Sequence, residues 1–162
     1  MPGTIVQIYE IQTPDEARAM IGLGVDHIGS VITSCNDRHD PVVRETVALV
    51  RKMGSVSSLI PLYSRPEAVF DTLAYYRPHI VHFCDRLDDH GGSSVRAALQ
   101  LQAAVKRLFP DILIMRSIPI GQTAKANRDA VLALAARLEP LSDYFLTDTM
   151  IVGELGAADN EQ

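Results

Sequence analysis

A chain of 162 residues is long enough to bury a core and fits one domain. Its 47% hydrophobic and 22% charged residues argue against disorder, and a net charge of −5 with a pI near 5.4 gives no electrostatic footprint for nucleic acid or an anionic membrane. No apolar run approaches the roughly 18 residues of a membrane span, no basic segment opens the chain, and Cys35 and Cys84 are too few for a disulfide framework. These features point to the cytoplasm.

Ile5-Val6-Gln7-Ile8-Tyr9 reads as a first strand. Thr13-Pro14-Asp15-Glu16 then supplies an N-cap, a proline at the first helical position and a capping-box glutamate. Ala17, Met20 and Ile21 fall on one face of that helix. Val25 to Ile32 is a second strand, and a second helix runs from Asp40-Pro41 to Lys52-Met53-Gly54, a basic-then-glycine ending. Ser57 to Tyr63 is a third strand, and Ser64-Arg65-Pro66-Glu67 repeats the capping pattern before a third helix. Ile80 to Cys84 and Ile112 to Ile118 are the fourth and fifth strands, each followed by a helix, about Ser94 to Phe109 and Lys125 to Leu138. Tyr144 to Thr147 is the sixth strand. Beyond Asp148 periodicity fades, and residues 153–162 read as a mobile polar tail of one (β/α)-repeat domain.

Strands apolar on both faces and separated by helices imply a parallel sheet covered by helices, an α/β fold. Length alone favours a flavodoxin-like open parallel sheet, because a TIM barrel has eight units and usually about 250 residues. In either fold the chemistry belongs at the C-terminal ends of the strands.

The run from Ile5 through Thr13-Pro14-Asp15-Glu16-Ala17 resembles the opening of the phosphoribosylanthranilate isomerase family, a strand of the type V-K-I-C-G-I followed by T-x-x-D/E-A. Leu23-Gly24-Val25-Asp26-His27-Ile28-Gly29-Ser30-Val31 is similar to that family's L-G-A-D-x-I-G-F-V, and Arg38 falls at the arginine of its S-P-R motif. Leu62 to Glu67 resembles its V-F-x-x-x-P-E, Met115-Arg116-Ser117-Ile118 its I-K-A-I, and Leu146-Thr147-Asp148-Thr149 its L-L-D-T. The matches are short, but they are colinear over most of residues 5 to 152. The resemblance implies a TIM-barrel-like (β/α) repeat with about six of eight units present, since the family's strands seven and eight, which carry phosphate-binding loops, have no counterpart here.

The resemblance further implies an Amadori rearrangement in tryptophan biosynthesis, an aldose–ketose isomerisation of a phosphoribosyl adduct that needs no cofactor. An acid protonates the furanose oxygen as the ring opens, and a base removes the proton from the adjacent carbon. Asp148 matches the acid by position; a carboxyl in that role must keep its proton near neutrality, which burial at a strand end would supply. The family's first-strand cysteine, implied to be the base, is Tyr9 here, and its neighbour is Glu10. An ordinary phenol titrates near pH 10, so about one molecule in a thousand is phenolate at neutrality. Arg38 and Arg116 are candidates to hold a carboxylate or phosphate of the substrate, and Glu10 is a further candidate contact. Arg116, within an apolar strand, needs a partner for its charge.

Two other readings stand beside the isomerase: a non-catalytic barrel relative that binds a small anion, favoured by Tyr9, and a flavodoxin-like binding module, favoured by length. His82 and Cys84 share a strand face, but neither they nor the Cys35, Asp37, His39 and Asp40 cluster match a zinc spacing, so no metal is assigned. Asp88-Asp89-His90-Gly91-Gly92 reads as a solvated loop, and Gly121-Gln122-Thr123 as a weak phosphate cradle. The expected partner is a small phosphorylated or carboxylated ligand rather than nucleic acid or membrane. Six strands leave two edges, which predicts a homo-oligomer covering the first and sixth strands, or further residues completing the barrel.

Overall fold

The structure, a computed structural model, describes residues 3–85, 87, 93–121 and 128–150. The expected mobile tail, the Asp88–Gly92 loop and residues 122 and 123 of the phosphate cradle lie outside the described residues. The chain alternates β1 (Gln7–Ile8), α1 (Pro14–Gly22), β2 (His27–Ile32), α2 (Pro41–Lys52), β3 (Val56–Pro61), α3 (Pro66–Tyr76), β4 (Ile80–Phe83), α4 (Ser93–Leu108), β5 (Leu113–Gly121), α5 (Arg128–Leu138), a 3-10 turn (Glu139–Leu141) and β6 (Tyr144–Met150).

Local chemistry sets the helix starts. Thr13 and Glu16 form the full capping box on α1, and the Asp40 carboxylate accepts from the amides of Val42 at 2.7 Å and Val43 at 3.2 Å to open α2. At α3 the capping expectation fails: Arg65 occupies the N-cap and makes no side-chain cap bond, so Pro66 alone marks the start. That helix is closed by Arg77 in the left-handed region, φ 51°, a position that favours glycine.

All six strands are parallel and lie in the order β1-β2-β3-β4-β5-β6. A flavodoxin-like sheet would place β1 inside the sheet and reverse direction at a switch point, so the open-sheet alternative falls. Strand order follows chain order, as in a barrel. The first strand is shorter than expected because only Gln7 and Ile8 pair with His27 and Ile28; Glu10, at φ 62°, turns the chain immediately afterwards. The fifth and sixth strands are longer than expected, extending to Gly121 and Met150 through one continuous ladder.

The sheet's outer face carries the core. Val81 and Phe83 of β4 and Ile114 of β5 pack on Val69 and Leu73 of α3 and on Leu101 and Val105 of α4. Ile32 and Leu59 meet Val43 and Val47 of α2, and Ile28 meets Ala17 of α1 and Val50 of α2. Because side chains alternate along a strand, the residues between these face the other way. That inner face is strongly curved. In a flat sheet, β2 and β6 would stand about 19 Å apart, four strand spacings. Instead the rings of His27 and Tyr144 meet edge to face at 6.2 Å, and Tyr9 Oη donates to Met115 Sδ at 3.9 Å. The sheet is a curled half-barrel.

Candidate active site at the rim of the curled sheet

Two consequences of this geometry define the site. The inner face mixes polar side chains, Gln7, Tyr9, His27, Ser58, His82, Ser117 and Tyr144, with apolar ones such as Met115, and its C-terminal rim is formed by residues that directly follow or end strands. Tyr9 follows β1, Cys84 follows β4, and Asp148 lies in β6 opposite Pro119 of β5. A cleft of about 350 Å³ opens between the β1 and β6 sides towards the strand starts, lined by Ile5, Gln7, His27, Met115 and Tyr144 with Tyr9 at its upper end; neither Cys84 nor Asp148 lines it.

Tyr9 is seated by a glycine. A Cβ on Gly29 would lie 3.0 Å from both the Ile8 carbonyl oxygen and Tyr9 Cδ1, so the phenol ring occupies the space that a β2 side chain would fill. The ring tilts against His82 with centroids 5.7 Å apart. Burial, with the neighbouring Cys84 and Asp148, pushes the phenol above its ordinary value. It therefore keeps its proton at neutrality and acts as a donor.

His82 is 4% exposed and shares a 2.8 Å hydrogen bond between Nε2 and Ser117 Oγ, while Nδ1 has no hydrogen-bond partner among the described residues. Burial and the Arg116 guanidinium lower its pKa from 6.5 to about 4, against an opposing pull from Asp148. It is a neutral imidazole beneath the rim. Cys84 is exposed, yet its sulfur is partly stripped of water; this, followed by Asp85, pushes the thiol up, with Asp148 adding to the rise and Arg116 opposing it. The Asp148 carboxylate thus acts on Tyr9, His82 and Cys84 together.

The sequence candidates separate in space. Tyr9 and Asp148 share the rim, although Asp148 stands exposed there and not buried as an acid in this role would require. Arg38 lies towards α3: its Nε meets Asp71 Oδ2 at 2.5 Å and its Nη1 donates to the Cys35 carbonyl at 2.7 Å. His39 joins Asp71 at 2.8 Å and stacks on Tyr75 at 4.3 Å. Arg116 is 1% exposed on the outer face, gripping the Asp85 carboxylate at 2.6 Å and its carbonyl at 2.7 Å, which supplies the partner its charge needs. Glu10 is exposed on the left-handed turn after β1. The centre of the inner wall belongs to His82, Ser117 and Cys84. The i, i+2 spacing of His82 and Cys84 already placed them on one face; which face required the helices.

Among the described residues, no three His, Cys, Asp or Glu side chains converge as a metal cage, and no helix is long and apolar enough to cross a membrane.

A sheet of consecutive parallel strands, curled with helices outside and titratable groups at its C-terminal rim, defines a (β/α)-barrel type of protein. Among solved structures the chain is similar to phosphoribosylanthranilate isomerase from Pyrococcus furiosus, with a TM-score of 0.65 at 14% identity, over 91% of this chain and 68% of that one. It is also similar to a phosphoribosylanthranilate isomerase in complex with reduced 1-(o-carboxyphenylamino)-1-deoxyribulose 5-phosphate, at TM-score 0.58 and 15% identity, over 91% of this chain and 66% of that one. The C-terminal domain of ChiA from Legionella pneumophila matches at TM-score 0.60 and 12% identity, over 90% of this chain and 57% of that domain's chain. At these identities the likeness is one of fold. The chain spans about two thirds of the length of the isomerases it matches. No family model and no curated protein matches the sequence.

Proposed function

We propose that this chain is a divergent relative of phosphoribosylanthranilate isomerase, carrying out an Amadori-type isomerisation of a phosphoribosyl adduct at the rim of the curled sheet. One observation carries the reading. Asp148, which matches the family's acid in the Leu146-Thr147-Asp148-Thr149 motif, shares one rim with Tyr9, which stands at the first-strand position of the family's base. Asp148 stands where the family's acid protonates the ring oxygen, without the burial that role calls for, which adds to the expectation of slow turnover. Tyr9 holds its own proton and serves as a hydrogen-bond donor, so among the described residues the thiolate form of Cys84 is the candidate to accept the proton from carbon. Its raised pKa makes it a reluctant acceptor. Arg38 and Glu10, on the loops beyond the strand ends, are candidate substrate contacts. Removing a well-placed base costs about 10²- to 10⁴-fold in rate, so turnover should be weak.

The test follows phosphoribosylanthranilate by loss of fluorescence in wild type, Tyr9→Cys and Asp148→Asn. Weak wild-type turnover, a rise with Tyr9→Cys and abolition by Asp148→Asn are expected. Robust wild-type turnover that survives Asp148→Asn would overturn the assignment.

A non-catalytic, small-anion-binding role is the second reading, favoured by the raised phenol at the base position. It predicts saturable binding of a carboxylated sugar phosphate by calorimetry with no turnover in wild type or in Tyr9→Cys.

A further inference from the structure

The ladder between β4 and β5 ends at the Phe83–Arg116 pair, yet the rim thiol comes one residue later. Past Phe83 the strand is held in another way. Arg116, from the outer face of β5, reaches along the strands and takes Asp85 at two points, Nη1 to the carboxylate at 2.6 Å and Nη2 to the main-chain carbonyl at 2.7 Å. A guanidinium fork gripping both the side chain and the backbone of one residue fixes position and direction together, which a point-like ammonium cannot do. Since side chains alternate, fixing Asp85 outward sets Cys84 inward.

Stability alone does not account for an arginine here. Its neighbours on the same face, Ile114 and Ile118, sit in apolar clusters, and Arg116 itself is 1% exposed with Nε lacking a hydrogen-bond partner among the described residues. Burying a guanidinium with one donor unmet is costly, and apolar residues of similar volume in such positions are often equally or more stable.

We propose that the Arg116–Asp85 pair is a positioning clamp: from the outer face of the sheet it fixes the unladdered end of β4 and so orients the Cys84 thiol at the inner rim. Arg116 is thus a positioning residue that acts through Asp85 and Cys84 and touches no ligand. The proposal rests on the preceding reading only in naming the rim as the active site. The charge has a second effect through the sheet, because Arg116 draws the pKa of both Cys84 and His82 downward.

Alkylation of Cys84 by iodoacetamide as a function of pH, in a Cys35→Ser background, tests this without any substrate. The high-pH plateau reports how freely the thiolate is presented, and the midpoint reports its charged neighbours. Arg116→Met and Asp85→Asn should both raise the plateau several-fold as the strand end loosens. Their midpoints should move in opposite directions, upward for Arg116→Met and downward for Asp85→Asn. Arg116→Lys should hold the midpoint near wild type but share the raised plateau, since it keeps the charge and loses the fork. Plateaus unchanged in all three variants, with circular dichroism showing them folded, would overturn the clamp. Should Arg116→Met fail to fold, the Asp85→Asn and Arg116→Lys plateaus decide alone. If the isomerase assay fails while the plateaus rise, the clamp stands and only the reading of the rim falls.

Discussion

The rings of Tyr9 and His82 lie 5.7 Å apart, tilted by 44°, although one follows the first strand and the other belongs to the fourth. Three strand spacings separate these positions in a flat sheet, about 14 Å. The contact exists because the sheet curls, and it ties the protonation of the inner wall to the fold itself.

His82 therefore carries a pH signature. Its pKa falls from 6.5 unfolded to about 4 folded, so between these values the unfolded chain binds a proton that the native protein refuses. Stability is then full above pH 6.5 and declines as pH falls towards 4. The shift corresponds to about 3 kcal/mol. Urea melts of wild type and His82→Gln across this window should show a steeper acid loss in wild type. Parallel pH profiles would contradict the assignment. His27 and His79, also depressed by burial, supply the slope that remains in the variant.

Gly29 has no room for a side chain. An alanine there meets the Ile8 carbonyl and the Tyr9 ring at 3.0 Å, one of them backbone that cannot swing aside. Gly29→Ala should cost roughly 1–3 kcal/mol by overpacking and should shift the Tyr9 ring resonances in an NMR spectrum. An unchanged melting temperature would show that β1 can slide to accommodate it.

Arg77 closes α3 at φ 51°, where a side chain strains and glycine does not. Its distant stacking over Phe109, 6.0 Å to the ring centroid, is a weak compensation. Arg77→Gly should stabilise by up to about 1 kcal/mol, the left-handed penalty less glycine's extra chain entropy. Chemical denaturation reads the difference, and a loss of stability would mean that the Phe109 contact outweighs the strain.

The outer sides of β1 and β6 have no strand partner among the described residues, and Ile5, Val6 and Phe145 stand exposed along them. Unpaired strand edges bearing apolar side chains favour association. These 162 residues should sediment as an oligomer that dissociates when Val6 and Phe145 are replaced by lysine. A wild-type monomer at high concentration would contradict this.

Much of the fold was legible because its signals are local. Thr13 with Glu16, and Asp40 with Pro41, announce helix starts through bonds that span three residues, and six apolar runs separated by helical periodicity require a covered parallel sheet. The Arg65 start misled for the same reason: Ser64-Arg65-Pro66-Glu67 has the composition of a cap without its bond. What composition and periodicity could not decide was the closure of the sheet, since an open and a curled sheet bury the same alternation of residues; length pointed to the open sheet, and only the colinear family motifs to a barrel.

The site divides along the same line. Tyr9 and Asp148 became candidates through the family motifs they fall in, each a match within one short segment. His82, Cys84 and Ser117 form the inner wall with them because curvature brings β1 back across β4 and β5, a relation between residues 73 to 108 positions apart in the chain. Arg116 could be seen to need a partner from its apolar neighbours. That the partner is Asp85, on the outer side of the β4 end, was settled by which face of β5 the helices cover. Sequence by itself determined the elements, their order and the alternation along each strand; the tertiary structure decided which alternate face is the inside, because that depends on the direction in which the whole sheet bends.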